Sequence, residues 1–123
     1  MNPTVVIVSV IAALVAVALF VVMSGGSTKV GGEEIGVDGP RARELVEGGA
    51  TLVDVRTPGE FKSGHIDGAV NIPLQEIKRR HSEIPAGPVV LYCRSGNRSA
   101  QAARALHGLG HTELYDLGPM HAW

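Results

Sequence analysis

The sequence predicts an α/β domain with a mainly parallel central sheet flanked by helices, preceded by one transmembrane helix. Three observations carry this. Residues 3–23, "PTVVIVSVIAALVAVALFVVM", form one uncharged apolar run. From residue 40 onward, short β-branched runs alternate with helical patterns, as in βαβ units. One of these runs, "PVVLY" at residues 88–92, is apolar at every position. A continuous apolar strand fits a sheet covered on both faces.

The elements follow in order. In residues 3–23 the polar side chains are Thr4 and Ser9. About 20 helical residues at ~1.5 Å each span the ~30 Å hydrocarbon core. A cleaved signal peptide fits less well. Its start is basic and its apolar region runs about 7–15 residues, whereas no basic side chain precedes this span and no A-x-A site follows it. A single-pass membrane location is therefore expected, with the lipid bilayer contacted through residues 3–23. Lys29, Arg41 and Arg43 lie on the C-terminal side. The positive-inside rule accordingly favours a cytoplasmic C-terminal domain, although Lys29 alone is close to the span.

Residues 24–39, "SGGSTKVGGEEIGVDG", read as a flexible Gly/Ser tether. The expected organisation is an anchor at 1–24, a linker at 25–37 and a folded domain at 38–123. In the domain, residues 40–47 form a helix with Pro40 in the first turn, stopped by Gly48 and Gly49. Residues 51–55, "TLVDV", form a strand, and 70–73 a second short one. Residues 74–81 form a helix with Leu74 and Ile77 on one face. After the 88–92 strand, residues 99–109 form a helix with Ala102, Ala103, Leu106 and Leu109 as its inner stripe, ended by Gly110. Residues 112–115 form the last strand.

Composition narrows the function. A chain of 123 residues has room for one domain. Its 11 basic and 12 acidic side chains give no electrostatic argument for binding nucleic acid. The five histidines are scattered, without metal-ligand spacing, so no metal is expected.

The single cysteine, Cys93, ends the 88–92 strand, where ligands bind in parallel sheets. It opens "CRSGNRS". Free cysteine is often inert packing, but two arginines and a glycine turn are a poor way to bury one. A thiolate is stabilised by cations and helix N-termini. Arg94, Arg98 and the following helix supply both, and Gly96 lets successive N–H groups converge. Asp54 and Arg56 are supporting candidates near the mouth. Paired charges beside a site are more often scaffolding, with Asp54 orienting a loop and Arg56 ion-pairing nearby. Glu60 reads as a cap for the turn at "PGEF" or as the partner of a local cation. Phe61 and Trp123 read as core or cover residues.

These residues carry a resemblance. Residues 52–74, "LVDVRTPGEFKSGHIDGAVNIPL", resemble the front signature of the rhodanese family, and "YCRSGNRSA" and "DLGPMHAW" resemble its active-site loop and C-terminal end. The likeness covers residues 35–123. It implies a sulfurtransferase that uses no cofactor. Cys93 would take a sulfane sulfur from thiosulfate or a persulfide donor and pass it to cyanide or a thiol acceptor, such as a thioredoxin-like protein. The N–H groups of Arg94, Ser95, Gly96, Asn97, Arg98 and Ser99 would cradle the persulfide, and Arg94 and Arg98 would bind the anionic donor. Two alternatives stand beside it. One is a membrane-tethered sulfur-relay or redox partner module. The other is a Cys-dependent phosphatase or arsenate reductase on the same fold, disfavoured because the loop from Cys93 to Arg98 has the six-residue length that the family pairs with sulfur. Pro119 stands where the family usually has a second glycine, so a looser last turn around Trp123 is expected.

Overall fold

The computed structural model describes residues 35–123. The predicted span at 3–23 and linker residues 25–34 lie outside the described residues. Among those described, no helix is long and apolar enough to cross a membrane.

Five strands form one parallel sheet: β1 (Ile35–Gly36), β2 (Thr51–Asp54), β3 (Val70–Asn71), β4 (Val89–Cys93) and β5 (Leu114–Pro119). Their spatial order is β1-β5-β4-β2-β3, with every neighbouring pair parallel. The expected mainly parallel sheet is present. β4 is central and its five residues are all buried, which accounts for its unbroken apolar run.

Side chains alternate across β4. Val89, Leu91 and Cys93 join one core cluster, while Val90 and Tyr92 join the other. The first cluster is capped by α4 (Asn97–Gly108) through Ala102, Ala103 and Leu106, each fully buried, and by Ile77 of the short α3 (Ile77–Arg80). The second is capped by Ala42, Leu45 and Val46 of α1 (Gly39–Glu47) and by the C-terminal residues Met120, Ala122 and Trp123. Each fully buried aliphatic side chain contributes about 1.5–3 kcal/mol before entropy is counted.

Four expectations change. The linker boundary moves, because Ile35 and Gly36 pair with Tyr115 and Asp116 of β5, and the Val37 N–H donates to the Asp116 carbonyl. Residues 35–37 therefore belong to the domain. The helix expected over 74–81 is broken into a 3₁₀ turn (Leu74–Glu76), α3 and a second 3₁₀ turn (His81–Glu83). The last strand runs on through Asp116, Leu117 and Gly118 to Pro119. Leu109 leaves the inner stripe: α4 ends at Gly108, and Leu109 is 38% exposed.

The C-terminal turn is packed. A 3₁₀ turn (Met120–Ala122) follows Pro119, and Trp123 lies against the second core cluster. Gly39 meets this turn so closely that a Cβ there would sit 2.1 Å from the Ala122 carbonyl oxygen. Pro119 extends β5 at φ −73°, a value its ring favours, so the missing glycine loosens nothing.

Candidate active site

The period of β4 and the position of α4 together place Cys93. The strand directs its side chain to the α4 face, and the chain then turns through Arg94, Ser95 and Gly96 straight into that helix. Gly96 makes the turn at φ +101°, in the left-handed region that favours glycine. A Cβ on Gly96 would lie 3.6 Å from Cα of Gly118, so the loop rests on β5 at a pair of glycines.

The sulfur sits in a small hydrogen-bonded nest. The Gly96 N–H donates to Cys93 Sγ at 2.9 Å. The thiol faces the Ser99 hydroxyl at 3.6 Å, and that hydroxyl donates to the Gly96 carbonyl at 3.0 Å. Cys93 and Ser99 have no exposed surface. Burial alone pushes the thiol up. The Ser99 hydroxyl and the N–H groups of Ser99, Gly96 and Ser95 outweigh it and hold the thiol below its ordinary value. The positive end of the twelve-residue α4 helix points at the same atom. This arrangement stabilises a thiolate and, with one more sulfur attached, an anionic persulfide.

The two arginines differ. Arg94 is exposed, and among the described residues no carboxylate forms an ion pair with it. Arg98, expected with Arg94 to bind the anionic donor, is ion-paired. Its two terminal nitrogens donate to both oxygens of Glu60, at 2.6 and 3.0 Å. That pair holds the Glu60 carboxyl down at about 2, so it is ionised throughout the neutral range. Glu60 also closes a capping box with Thr57 at the start of α2 (Pro58–Ser63). The capping reading of Glu60 holds, and the cation it meets is not a neighbour in sequence but Arg98, 38 residues away.

Asp54 and Arg56 form a buried, doubly hydrogen-bonded pair with its closest contact at 2.7 Å. Arg56 also donates to the Gly64 carbonyl at 2.7 Å, and its guanidinium lies 5.7 Å from the centre of the Tyr92 ring. Asp54 is fully buried and does not line the mouth, so its arrangement is that of scaffolding. Arg56 borders a cleft of about 410 Å³ together with Gly59, Glu60, Ser63, Gly64, Arg94 and Met120. Asn71 tethers this region by donating to the carbonyls of Asp54 and Arg56.

Sequence reasoning placed Ser99 in the loop for its N–H and missed its hydroxyl. The signal available was the Cys-to-Ser spacing of six on a strand-loop-helix unit, which brings the first helical turn back over the sulfur. His81 and His111 meet at 3.2 Å, away from Cys93, and among the described residues no three metal-ligating side chains converge.

With this geometry in place, comparison with known proteins defines the class. Residues 40–123 match the rhodanese-like domain family, and the chain belongs to it. A Bacillus subtilis protein called uncharacterized is 50% identical over 76 residues, which are 60% of each chain. An Allochromatium vinosum protein named sulfurtransferase is 46% identical, over 58% of this chain and 69% of its own. A thiosulfate sulfurtransferase of Ectopseudomonas mendocina is 36% identical, over 68% of this chain and 78% of its own. The solved structure of an Escherichia coli rhodanese with anions has a TM-score of 0.57 and 34% identity, covering 60% of this chain and 91% of that one. Sulfur transfer is thus supported at the level of the family.

Proposed function

We propose that this chain is a rhodanese-type sulfurtransferase in which Cys93 is the nucleophile. The observation that carries the reading is the sulfur nest: Cys93 Sγ faces the N-terminus of α4 and accepts the Gly96 N–H at 2.9 Å. Relatives named sulfurtransferase and thiosulfate sulfurtransferase support the same chemistry.

The mechanism follows from the nest. The Cys93 thiolate attacks the outer sulfur of thiosulfate. An S–S bond forms to Cys93, the sulfur–sulfur bond of the donor breaks, and its electron pair leaves on sulfite. A persulfide donor reacts in the same way, with a thiolate leaving. The terminal sulfur of the Cys93 persulfide carries the negative charge into the cradle of loop N–H groups. Cyanide or a thiolate then attacks that sulfur, giving thiocyanate or a new persulfide and restoring the Cys93 thiolate. This is two-step covalent catalysis with ping-pong kinetics. Cys93 is the sole thiol in the sequence, so the persulfide is handed outward to an external thiol, such as a thioredoxin-like protein. That need also suits a sulfur-relay role with a protein partner. Residues 3–23 anchor the domain in a bilayer, with the domain on the cytoplasmic side.

Thiosulfate-to-cyanide transfer by the full-length chain, beside Cys93→Ala, tests the chemistry. Turnover and cyanide-releasable sulfur both vanish in the variant if the reading is right. A folded wild-type protein that loads no sulfur from thiosulfate or from a persulfide sinks it. Retention in the membrane fraction after alkaline carbonate washing tests the anchor, and release into the wash contradicts it.

A further inference from the structure

The loop after Cys93 and the cleft that Arg94 borders carry three arginines, Arg56, Arg94 and Arg98. Arg56 is neutralised by buried Asp54, and Arg98 by Glu60. Arg94 has no ion-pair partner among the described residues, and it is exposed beside the same cleft that Glu60 borders. A thiolate at Cys93 offsets Arg94. Summed over Cys93, Arg94 and these two ion pairs the charge is close to zero, and the Glu60 carboxylate borders the same cleft as Arg94.

We infer that Glu60 sets the charge class of the sulfur donor. By neutralising Arg98 and standing at the cleft, it favours donors with a single negative charge, such as thiosulfonates and hydropersulfides, over dianionic thiosulfate. The inference rests on the sulfurtransferase reading above and deepens it. Its physical basis is that a fixed charge acts on a ligand in proportion to the ligand's own charge. The Glu60 carboxylate therefore opposes thiosulfate about twice as strongly as it opposes a monoanion in the same place. Its carboxyl, held down at about 2, stays ionised and keeps this repulsion constant across the neutral range. Glu60 acts through charge and through Arg98, and takes no part in bond making. With a monoanion the first step balances as before. The Cys93 thiolate bonds to the outer sulfur of the thiosulfonate, whose sulfur–sulfur bond breaks, and the electron pair leaves on sulfinate.

The capping box makes a clean test available. Glutamine at the third helical position still presents an oxygen to the Thr57 N–H, so Glu60→Gln removes the charge while keeping the cap. Glu60→Asp keeps the charge and serves as the control. The full-length protein is assayed with thiosulfate and with methanethiosulfonate, using cyanide as the common acceptor, so that kcat/KM for each donor reports the first half-reaction. The wild type is expected to favour methanethiosulfonate. In Glu60→Gln, kcat/KM rises roughly tenfold for thiosulfate and roughly threefold for methanethiosulfonate, the squared relation expected of a charge effect. Glu60→Asp keeps the wild-type donor ratio. An unchanged ratio in Glu60→Gln, equal losses with both donors, or a wild-type preference for thiosulfate overturns the inference and leaves the sulfurtransferase reading intact. Failure of the wild type with every sulfur donor is a different result, and defeats that reading instead.

Discussion

At Cys93 two opposing effects meet on one atom. Burial disfavours the thiolate, and four hydrogen-bonding groups favour it. The Ser99 hydroxyl is the one side chain among them. In the thiol form it donates to the Gly96 carbonyl at 3.0 Å, and the thiol faces its oxygen. Once the thiolate forms, the hydroxyl can rotate to donate to sulfur instead. Ser99→Ala removes that donor but leaves the loop N–H groups in place. The pH midpoint of Cys93 alkylation is expected to lie below that of a free thiol in the wild type and to move up in Ser99→Ala. A midpoint unmoved by the substitution assigns the stabilisation to the backbone alone. Much of this site was legible in the sequence, because a lone cysteine at a strand end beside Arg-Ser-Gly-Asn-Arg has few structural explanations. The Glu60–Arg98 pair was legible in half. "TPGE" announces a capping box, but which cation meets Glu60 depends on a contact between positions 38 apart, and spacing says nothing about that.

The elements show the same division between local and distant signals. α4 was readable because Ala102, Ala103 and Leu106 recur at helical spacing and all are fully buried. It begins at Asn97, two residues before the expected start, because Gly96 in its left-handed conformation already serves as the N-cap. Leu109 fits the helical stripe in sequence, yet the helix stops at Gly108 and the chain turns away at Gly110, where φ is +98°. β1 was read as linker because two residues carry no period. It becomes a strand by pairing with β5, a partner some 80 positions later in sequence. β5 is longer than the strand expected over residues 112–115, running from Leu114 to Pro119. It extends through an irregularity that leaves Leu117 between the paired Asp116 and Gly118, where the neighbouring strand has Leu91 and Tyr92 in sequence. The packing of α4 on the sheet holds the nest in register. Leu106→Ala leaves a cavity in the first core cluster and is expected to destabilise the domain by about 2–5 kcal/mol, read from chemical denaturation. A loss under about 1 kcal/mol would show that α4 is not held by this contact.

On the scale of the whole domain, the sheet divides the work between its faces. One face carries α4 and the nucleophile. The other carries α1, Tyr92 and the C-terminal turn, where the Ile66 N–H donates to the Tyr92 hydroxyl at 3.1 Å and burial pushes that phenol up to about 12. The Glu60–Arg98 pair ties the short α2 to α4 across the mouth of the site. Glu60 drops from its ordinary value of 4.5 to about 2 on folding, chiefly through the Arg98 hydrogen bonds. Its contribution to stability is complete above about pH 4.5 and is lost as the pH falls through about 2. Urea unfolding at about pH 6 and about pH 3 should therefore show a steeper acid loss in the wild type than in Glu60→Gln. Equal losses would mean that the pair does not form in solution.

The central claim is that Cys93 carries the sulfur. Mass spectrometry of the full-length chain after incubation with thiosulfate, followed by peptide mapping, tests it most directly. The account predicts a gain of one sulfur atom on the peptide containing Cys93, discharged by cyanide and absent in Cys93→Ala. A folded protein that gains no sulfur from thiosulfate or a persulfide donor, or a gain that persists in Cys93→Ala, would contradict it.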